Sequence, residues 1–188
     1  TAMVNEIVKD QFGADLARVA MEPTYFVSCL REDIIDEDTG EITEAAPQIY
    51  EPGGTLEELR ERIEEFAEKY NVENPSKTMN LVLFDDALRH LVRISRIIGM
   101  PRGSALLVGV GGSGKQSLTR MAGFIARHFI FQITLTKSYN TNALMDDLRV
   151  LYETAGHKRI PVTFIFTDAE IKTETFLEYL NSILNTGE

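Results

Sequence analysis

The chain has 188 residues, of which 44% are hydrophobic and 26% are charged, a composition typical of a globular protein with one α/β domain. The net charge is −10, and residues 1–77 hold 19 acidic against 7 basic residues, whereas residues 78–188 hold 10 against 12. The acidic first part argues against a nucleic-acid partner, because phosphate contacts need a basic surface. The apolar runs are too short to span a bilayer, so no membrane partner is expected. A single cysteine excludes an internal disulfide.

The N-terminal part predicts a mostly helical extension with an acidic connector. Residues 1–22 have helical character that Pro23 ends. The β-branched and aromatic residues of 24–30 predict a short strand. Residues 31–54 are acidic and interrupted by Gly and Pro, which is typical of a connecting loop.

Two helices are predicted next. Thr55, followed three residues later by Glu58, forms a capping-box pattern. The apolar residues after it share one helical face; they are Leu56, Leu59, Ile63, Phe66 and Tyr70. A second helix is predicted over 83–99, closed by Gly99 and Pro101. Its arginines form a basic face; they are Arg89, Arg93 and Arg96.

From residue 104 onward, strands and helices are predicted to alternate. The strands are expected at 104–110, 130–135 and 160–168, and the helices at 115–129, 142–156 and 174–187. Alternation at this spacing implies crossover connections and therefore an α/β fold with a parallel sheet flanked by helices. The first of these strands is expected to be buried.

Between the first predicted strand and its helix lies a glycine-rich turn, in the stretch LLVGVGGSGKQSLTR at 106–120. It matches the phosphate-binding loop (P-loop, or Walker A) pattern G-x-x-x-x-G-K in the strand–turn–helix context that the motif requires. Glycines let backbone N–H groups converge on an anion, the helix N-terminus adds its dipole, and the lysine bridges terminal phosphates. The sequence therefore predicts a phosphate site, and its candidate residues are Gly109, Val110, Gly111, Gly112, Ser113, Gly114, Lys115, Gln116 and Ser117.

The loop departs from the pattern at the residue that normally binds magnesium. A Ser or Thr usually follows the lysine and donates its hydroxyl oxygen to the metal. Gln116 occupies that position and offers only an amide carbonyl on a longer stem. Ser117 lies roughly 100° further around the helix. Metal binding is therefore expected to be weakened.

A second motif, VTFIFTDAEI at 162–171, resembles the apolar strand of nucleotidases that ends in Asp-Glu. If Thr167 takes the metal-holding position, Asp168 replaces the glutamate that activates water. If Asp168 holds the metal, the base is absent or displaced to Glu170. Catalytic candidates are thus Asp168 and Glu170, and metal candidates are Gln116 and Asp168. Both departures favour nucleotide binding with slow or absent hydrolysis.

These residues resemble part of a dynein heavy chain, within its ring of six AAA+ modules, and most closely the fourth module of axonemal dyneins. The similar segments are LVLFDDALRHLVRISRIIGMPRG, LLVGVGGSGKQSLTR, FQITLTKSYN, DLRVLYETAG and FIFTDAEIKTETFLEYLNSILNTGE. The resemblance implies that residues 78–188 are the N-terminal part of the AAA+ large subdomain, a P-loop NTPase fold. Residues 1–54 would be the tail of the preceding module with an acidic connector, and 55–77 a helix leading into the fourth.

The resemblance also implies a function. The parent would be a minus-end-directed microtubule motor in the cytoplasm, in the cytoskeleton of the ciliary or flagellar axoneme. This module would be a regulatory ATP- or ADP-binding site, with or without Mg²⁺, and adenine would approach Leu83 and Phe84. Neighbouring AAA+ modules and other dynein chains would be its partners. Microtubules would be contacted only through a stalk outside these residues, and a neighbouring module would supply the arginine finger.

Two other functions remain open for the site. In one, Asp168 or Glu170 activates water and Gln116 completes the metal shell of a hydrolysing ATPase. In the other, the module has lost its ligand and is structural. A kinase or GTPase is disfavoured because the guanine-selecting NKxD string does not occur in the sequence and the downstream strand and helix fit the AAA+ pattern.

Overall fold

The computed structural model describes residues 2–14, 25–36, 38–40 and 42–186. The helices are α1 (Ala2–Phe12), α2 (Leu56–Glu73), α3 (Asp85–Ile98), α4 (Lys115–Ile125), α5 (Thr141–Tyr152) and α6 (Glu174–Asn185). The strands are β1 (Phe26–Val27), β2 (Ile34–Ile35), β3 (Ile42–Glu44), β4 (Glu51–Pro52), β5 (Phe129–Gln132) and β6 (Val162–Ile165). Short 3₁₀ turns cover Pro75–Lys77 and Asp168–Glu170, and a π turn covers Glu153–His157.

The N-terminal part is more structured than its composition suggests. Helix α1 confirms the start of the helix predicted over 1–22, whereas residues 15–24 lie outside the described ranges. The strand predicted over 24–30 is reduced to β1, which pairs antiparallel with β4. The connector predicted as a loop contains the antiparallel pair β2–β3. The prediction of a loop was wrong. The acidic residues, Gly and Pro of the segment indicated a loop, although the isoleucines in these strands have high β-propensity.

Helix α2 begins as the capping box predicts. The Glu58 backbone N–H donates to Thr55 Oγ1 at 3.3 Å, and the Thr55 N–H donates to Glu58 Oε2 at 2.8 Å. These hydrogen bonds satisfy donors that a helix N-terminus leaves open, and the Thr55 N–H, together with the Thr55 hydroxyl, lowers the pKa of the Glu58 carboxyl below its ordinary value. Leu59, Ile63 and Tyr70 from the predicted apolar face are buried.

Helices α2, α3 and α4 pack together around the first hydrophobic core. The largest of its fully buried side chains are Leu59, Ile63, Leu88, Leu91 and Met121. Tyr70 of α2 also contacts Phe124 of α4 edge to face, with ring centroids 5.2 Å apart. The core fixes α4, and therefore the loop that precedes it, against the two other helices.

Strands β5 and β6 form a parallel pair, joined by the crossover through α5. The register places Phe129 opposite Val162 and Gln132 opposite Ile165. A second core lies between this pair and helices α5 and α6, and Leu144 and Phe176 are fully buried there. The parallel pair brings the C-terminal ends of both strands to one edge, where Gln132 and the turn after β6 lie side by side.

Residues 104–110 do not form the buried strand that their sequence predicts. No ladder among the described residues involves them, and the side chains of Leu106, Val108 and Val110 are 89%, 87% and 79% exposed. Of the seven residues, Leu107 packs against the first core as described. A strand forms through backbone pairing with a neighbour, and no described strand pairs with this segment. The predicted parallel sheet is therefore represented, among the described residues, by β5 and β6.

Side-chain contacts hold the acidic connector to the helices. Arg62 of α2 donates from Nε to the Cys29 carbonyl at 3.2 Å and pairs with Glu32 at 3.0 Å. Arg127, just after α4, forms an ion pair with Asp33. Cys29 is buried, and burial raises the pKa of its thiol, so it is a small core side chain. The connector thus contacts both α2 and the C-terminal end of α4.

Candidate functional site

The predicted phosphate loop is a turn of two left-handed glycines at the start of α4. Gly112 and Gly114 both have φ of +76°, and Gly114 is the N-cap of the helix. Positive φ is a conformation that side-chain-bearing residues rarely adopt, so glycine is required at both positions. Alternating left- and right-handed residues make successive N–H groups concave toward an anion. The unpaired N–H groups of the first turn of α4 face the same end of the helix.

Lys115 is held over this loop by the loop itself. Its Nζ donates to the carbonyls of Gly109 and Val110, both at 2.7 Å, and to Ser113 Oγ at 3.2 Å. The three contacts use the three donors of the ammonium group. They place a positive charge at the loop before any ligand arrives. The longest contact, to a neutral hydroxyl, is the one that a phosphate oxygen would replace most readily.

Gln116 and Ser117 differ in accessibility. Gln116 is exposed, and its amide has no hydrogen-bond partner in the described ranges. Ser117 is half-buried and lines a cavity of about 260 Å³ beside α4. The other residues lining that cavity are Tyr70, Lys77, Thr78, Met79 and Arg120. Sequence reasoning did not find this cavity, because its residues come from two helices and the turn between α2 and α3.

The two residues predicted near adenine have different environments. Leu83 is buried in the first core, and its carbonyl accepts a hydrogen bond from Arg60 Nε at 2.9 Å. Phe84 is 60% exposed and is the N-cap of α3 in extended conformation. Of the two, only the Phe84 side chain is available to a ligand.

The two carboxylates predicted as catalytic candidates share one turn after β6. Asp168 is exposed and begins the 3₁₀ turn. Glu170 is only 6% exposed, and its Oε2 accepts hydrogen bonds from the Thr167 N–H at 2.6 Å and from the Thr167 hydroxyl. Its Oε1 accepts from Gln132 Nε2 at 2.9 Å. Asp168 is therefore open to solvent, whereas both oxygens of Glu170 are engaged.

Gln132 connects this turn to the helix that follows the phosphate loop. Its Oε1 accepts a hydrogen bond from the Arg120 guanidinium of α4, while its Nε2 donates to Glu170. Both residues lie in segments quoted above, Arg120 at the end of LLVGVGGSGKQSLTR and Gln132 in FQITLTKSYN, but neither was predicted as a site residue. Gln132 was expected inside the strand predicted over 130–135, whereas β5 ends at Gln132, at the edge where parallel sheets bind ligands.

The described residues contain no group of three or more His, Cys, Asp or Glu side chains arranged to hold a metal ion. None of the helices in the described ranges combines the length and hydropathy needed to cross a membrane.

Comparison with known proteins identifies the family. Residues 79–188 match the family model described as P-loop containing dynein motor region D4. The chain is 53% identical to mouse dynein axonemal heavy chain 5 over 98% of its length, and 48% identical to human dynein axonemal heavy chain 8 over all of it. It is 46% identical, over 98% of its length, to the dynein gamma chain of the flagellar outer arm of Chlamydomonas reinhardtii. The chain spans about 4% of the length of each of these relatives. It therefore belongs to the axonemal dynein heavy chains and represents part of their motor region.

Proposed function

We propose that residues 109–117 bind the phosphates of ATP or ADP, and that the module is a regulatory nucleotide site in the motor region of an axonemal dynein heavy chain. The observation that carries the proposal is the position of Lys115. Its ammonium group is fixed by two carbonyls over a turn of two left-handed glycines, directly at the N-terminus of α4. A cation, a glycine nest and a helix terminus together form a site suited to a polyphosphate.

Magnesium is expected to contribute less than in a complete nucleotidase site. Gln116 replaces the hydroxyl ligand, and the second motif supplies one exposed carboxylate, Asp168. These are the two residues that could hold Mg²⁺ if the nucleotide brings it. An amide carbonyl is a weaker ligand for this hard cation than a carboxylate, and Mg²⁺ requires near-octahedral geometry. We therefore expect the affinity for nucleotide to depend little on magnesium.

Slow hydrolysis is the second candidate function, and the exposure of Asp168 favours it. An exposed carboxylate at the end of β6 has access to water, which a general base requires. Glu170 is a poorer candidate because both of its oxygens accept hydrogen bonds within the turn and from β5. A third possibility is a structural module whose loop no longer binds nucleotide.

One experiment separates these three functions. The chain is brought to equilibrium by dialysis against radiolabelled ATP with excess Mg²⁺, and the bound label and the identity of the nucleotide in each compartment are measured over time. We expect bound label that remains ATP over many minutes. ADP that accumulates with time would support the hydrolysing site. No binding of labelled ATP or ADP at concentrations well above the micromolar range, although the protein is folded, would contradict the proposal and leave the structural module.

The role of Gln116 is tested by restoring the usual hydroxyl with Gln116→Thr. Gln116 is exposed and has no hydrogen-bond partner in the described part of the chain, so the substitution should leave stability within about 0.5 kcal/mol. We expect chelation of magnesium with EDTA to weaken ATP binding to the wild type by less than about threefold. In the variant, EDTA should weaken ATP binding by about tenfold or more, which corresponds to a loss of about 1.4 kcal/mol of binding free energy. Equal, large losses in both proteins would mean that Gln116 or Asp168 already serves the metal.

The same proposal extends to the place of each part of the chain within the AAA+ modules. We infer that residues 78–188 form the N-terminal part of the large subdomain of the fourth AAA+ module. Residues 1–54 would then belong to the tail of the third module and its connector, and 55–77 to the helix between them. The partners would be neighbouring modules and other dynein chains, and the location the axoneme. The family match beginning at residue 79 and the axonemal and flagellar names of the relatives support this assignment.

A further inference from the structure

The buried carboxylate of Glu170 has a more specific role than the sequence motif suggests. We propose that Glu170 is a positioning residue that links the turn bearing Asp168 to the phosphate-loop helix α4, through Gln132 and Arg120. We call the chain of contacts Glu170–Gln132–Arg120 the relay. This inference rests on the proposed nucleotide site, because the relay is inferred to transmit the structural effect of nucleotide binding from the loop to the turn.

The first step of the relay fixes the turn. Glu170 Oε2 accepts the Thr167 N–H at 2.6 Å and the Thr167 hydroxyl, which closes the turn that starts at Asp168. Hydrogen bonds to a charged acceptor are the strong ones, contributing about 1.5–3 kcal/mol each. The position of the Asp168 carboxylate therefore depends on the Glu170 carboxylate two residues later.

The second step fixes the orientation of the Gln132 amide. Its Nε2 donates to Glu170 Oε1 at 2.9 Å, and its Oε1 accepts from Arg120. A flipped amide would place an oxygen against the carboxylate and an N–H₂ group against the guanidinium, which makes both contacts repulsive. The amide dipole thus connects a buried anion to a cation on α4. Burying a carboxylate is costly without such compensation.

The third step joins the relay to the proposed ligand site. Arg120 lies on α4, whose first residue is Lys115, and it also lines the 260 Å³ cavity with Ser117. A nucleotide seated on the loop would contact the first turn of α4 and change the charge near the Arg120 guanidinium. Because Arg120 donates to Gln132, a shift of the guanidinium alters the relay and the turn beyond it.

Paired substitutions separate this role from simple packing. Glu170→Gln places an N–H₂ group against Gln132 Nε2 and should break the relay. The double variant Glu170→Gln with Gln132→Glu exchanges the two groups: the new carboxylate accepts from Arg120 and from residue 170, whose amide oxygen still accepts from Thr167. Glu178→Gln removes an exposed carboxylate on α6 and is the matched control.

The measurement is backbone hydrogen exchange by mass spectrometry or NMR, with and without ATP. Without ligand, Glu170→Gln should speed exchange of the Thr167 amide by about tenfold or more, the equivalent of one hydrogen bond to a charged acceptor. The double variant should recover part of this protection, because the relay re-forms while the Thr167 N–H donates to a neutral amide oxygen, and Glu178→Gln should leave the wild-type rate unchanged. With ATP, the wild type and the double variant should gain protection in both 111–117 and 167–171. Glu170→Gln should gain it in 111–117 alone.

Different results would overturn the relay and the proposed nucleotide site. Protection of 111–117 without any change at 167–171 in the wild type would overturn the relay and leave the nucleotide site intact. Equal protection of 167–171 in Glu170→Gln would also overturn it. If ATP protects neither segment, the proposed function fails. In that case the inferred transmission of nucleotide occupancy fails with it, although the ligand-free exchange rates still test the contacts of the relay.

Discussion

Replacing Lys115 with alanine is expected to weaken ATP binding by about a hundredfold or more, or about 2.7 kcal/mol. The ammonium group lies at 2.7 Å from two loop carbonyls and brings the one positive charge of the loop. Removing it deletes charge-assisted hydrogen bonds to phosphate, which are about twice as strong as neutral ones. It also removes the donor of the hydrogen bonds that the carbonyls of Gly109 and Val110 accept.

The matched control for that substitution is Lys158→Ala. Lys158 is exposed, and its side chain forms no hydrogen bond or ion pair within the described ranges. It should leave ATP affinity within about twofold of the wild type, which shows that a lost surface charge alone has little effect. Affinities are measured by competition with a fluorescent ATP analogue, and urea unfolding verifies that both variants remain folded. Near-wild-type affinity of Lys115→Ala would place the phosphates elsewhere.

The second large effect is expected in the core that positions the loop. Leu88 of α3 is 0% exposed and packs between α2 and α4 in the first core. Leu88→Ala removes buried methyl groups and leaves a cavity, for which a cost of about 3 kcal/mol is expected. A loss of that size is a large fraction of the stability of an ordinary domain. Urea unfolding followed by circular dichroism measures it.

Leu184→Ala provides the control for the core substitution, because it makes the same chemical change in helix α6 at a side chain that is 62% exposed. Its unfolding free energy should lie within about 0.5 kcal/mol of the wild type. Equal effects of the two substitutions would mean that α3 is not packed against α2 and α4 as described. A selective loss in Leu88→Ala supports the core that holds α4 in place.

Local signals in the sequence predicted the elements whose stability is local. The capping box of α2 was confirmed because Thr55 and Glu58 lie three residues apart and satisfy each other within one turn. The start of α4 was predicted correctly from the glycines and Lys115, because the helix begins directly after Gly114, whose positive φ favours glycine. The helices predicted over 83–99 and 142–156 were confirmed as α3 and α5, with ends that agree within a few residues.

Elements that depend on distant partners were predicted less well. The strand expected at 104–110 has an apolar sequence but no neighbouring strand to pair with among the described residues. The pair β2–β3 lies in a segment whose acidic composition indicated a loop. The relay joins residues 12 and 38 positions apart, and no sequence spacing indicates such contacts. Its polar side chains become neighbours only when β5 and β6 pair in parallel.

The most direct test of the central claim is a calorimetric titration of the chain with ATP. We predict one site with a dissociation constant in the micromolar range, about −8 kcal/mol, little changed when EDTA removes magnesium. ADP should bind to the same site. Absence of binding heat with both nucleotides at several temperatures, on protein that unfolds cooperatively, would contradict the claim that this loop is a nucleotide site.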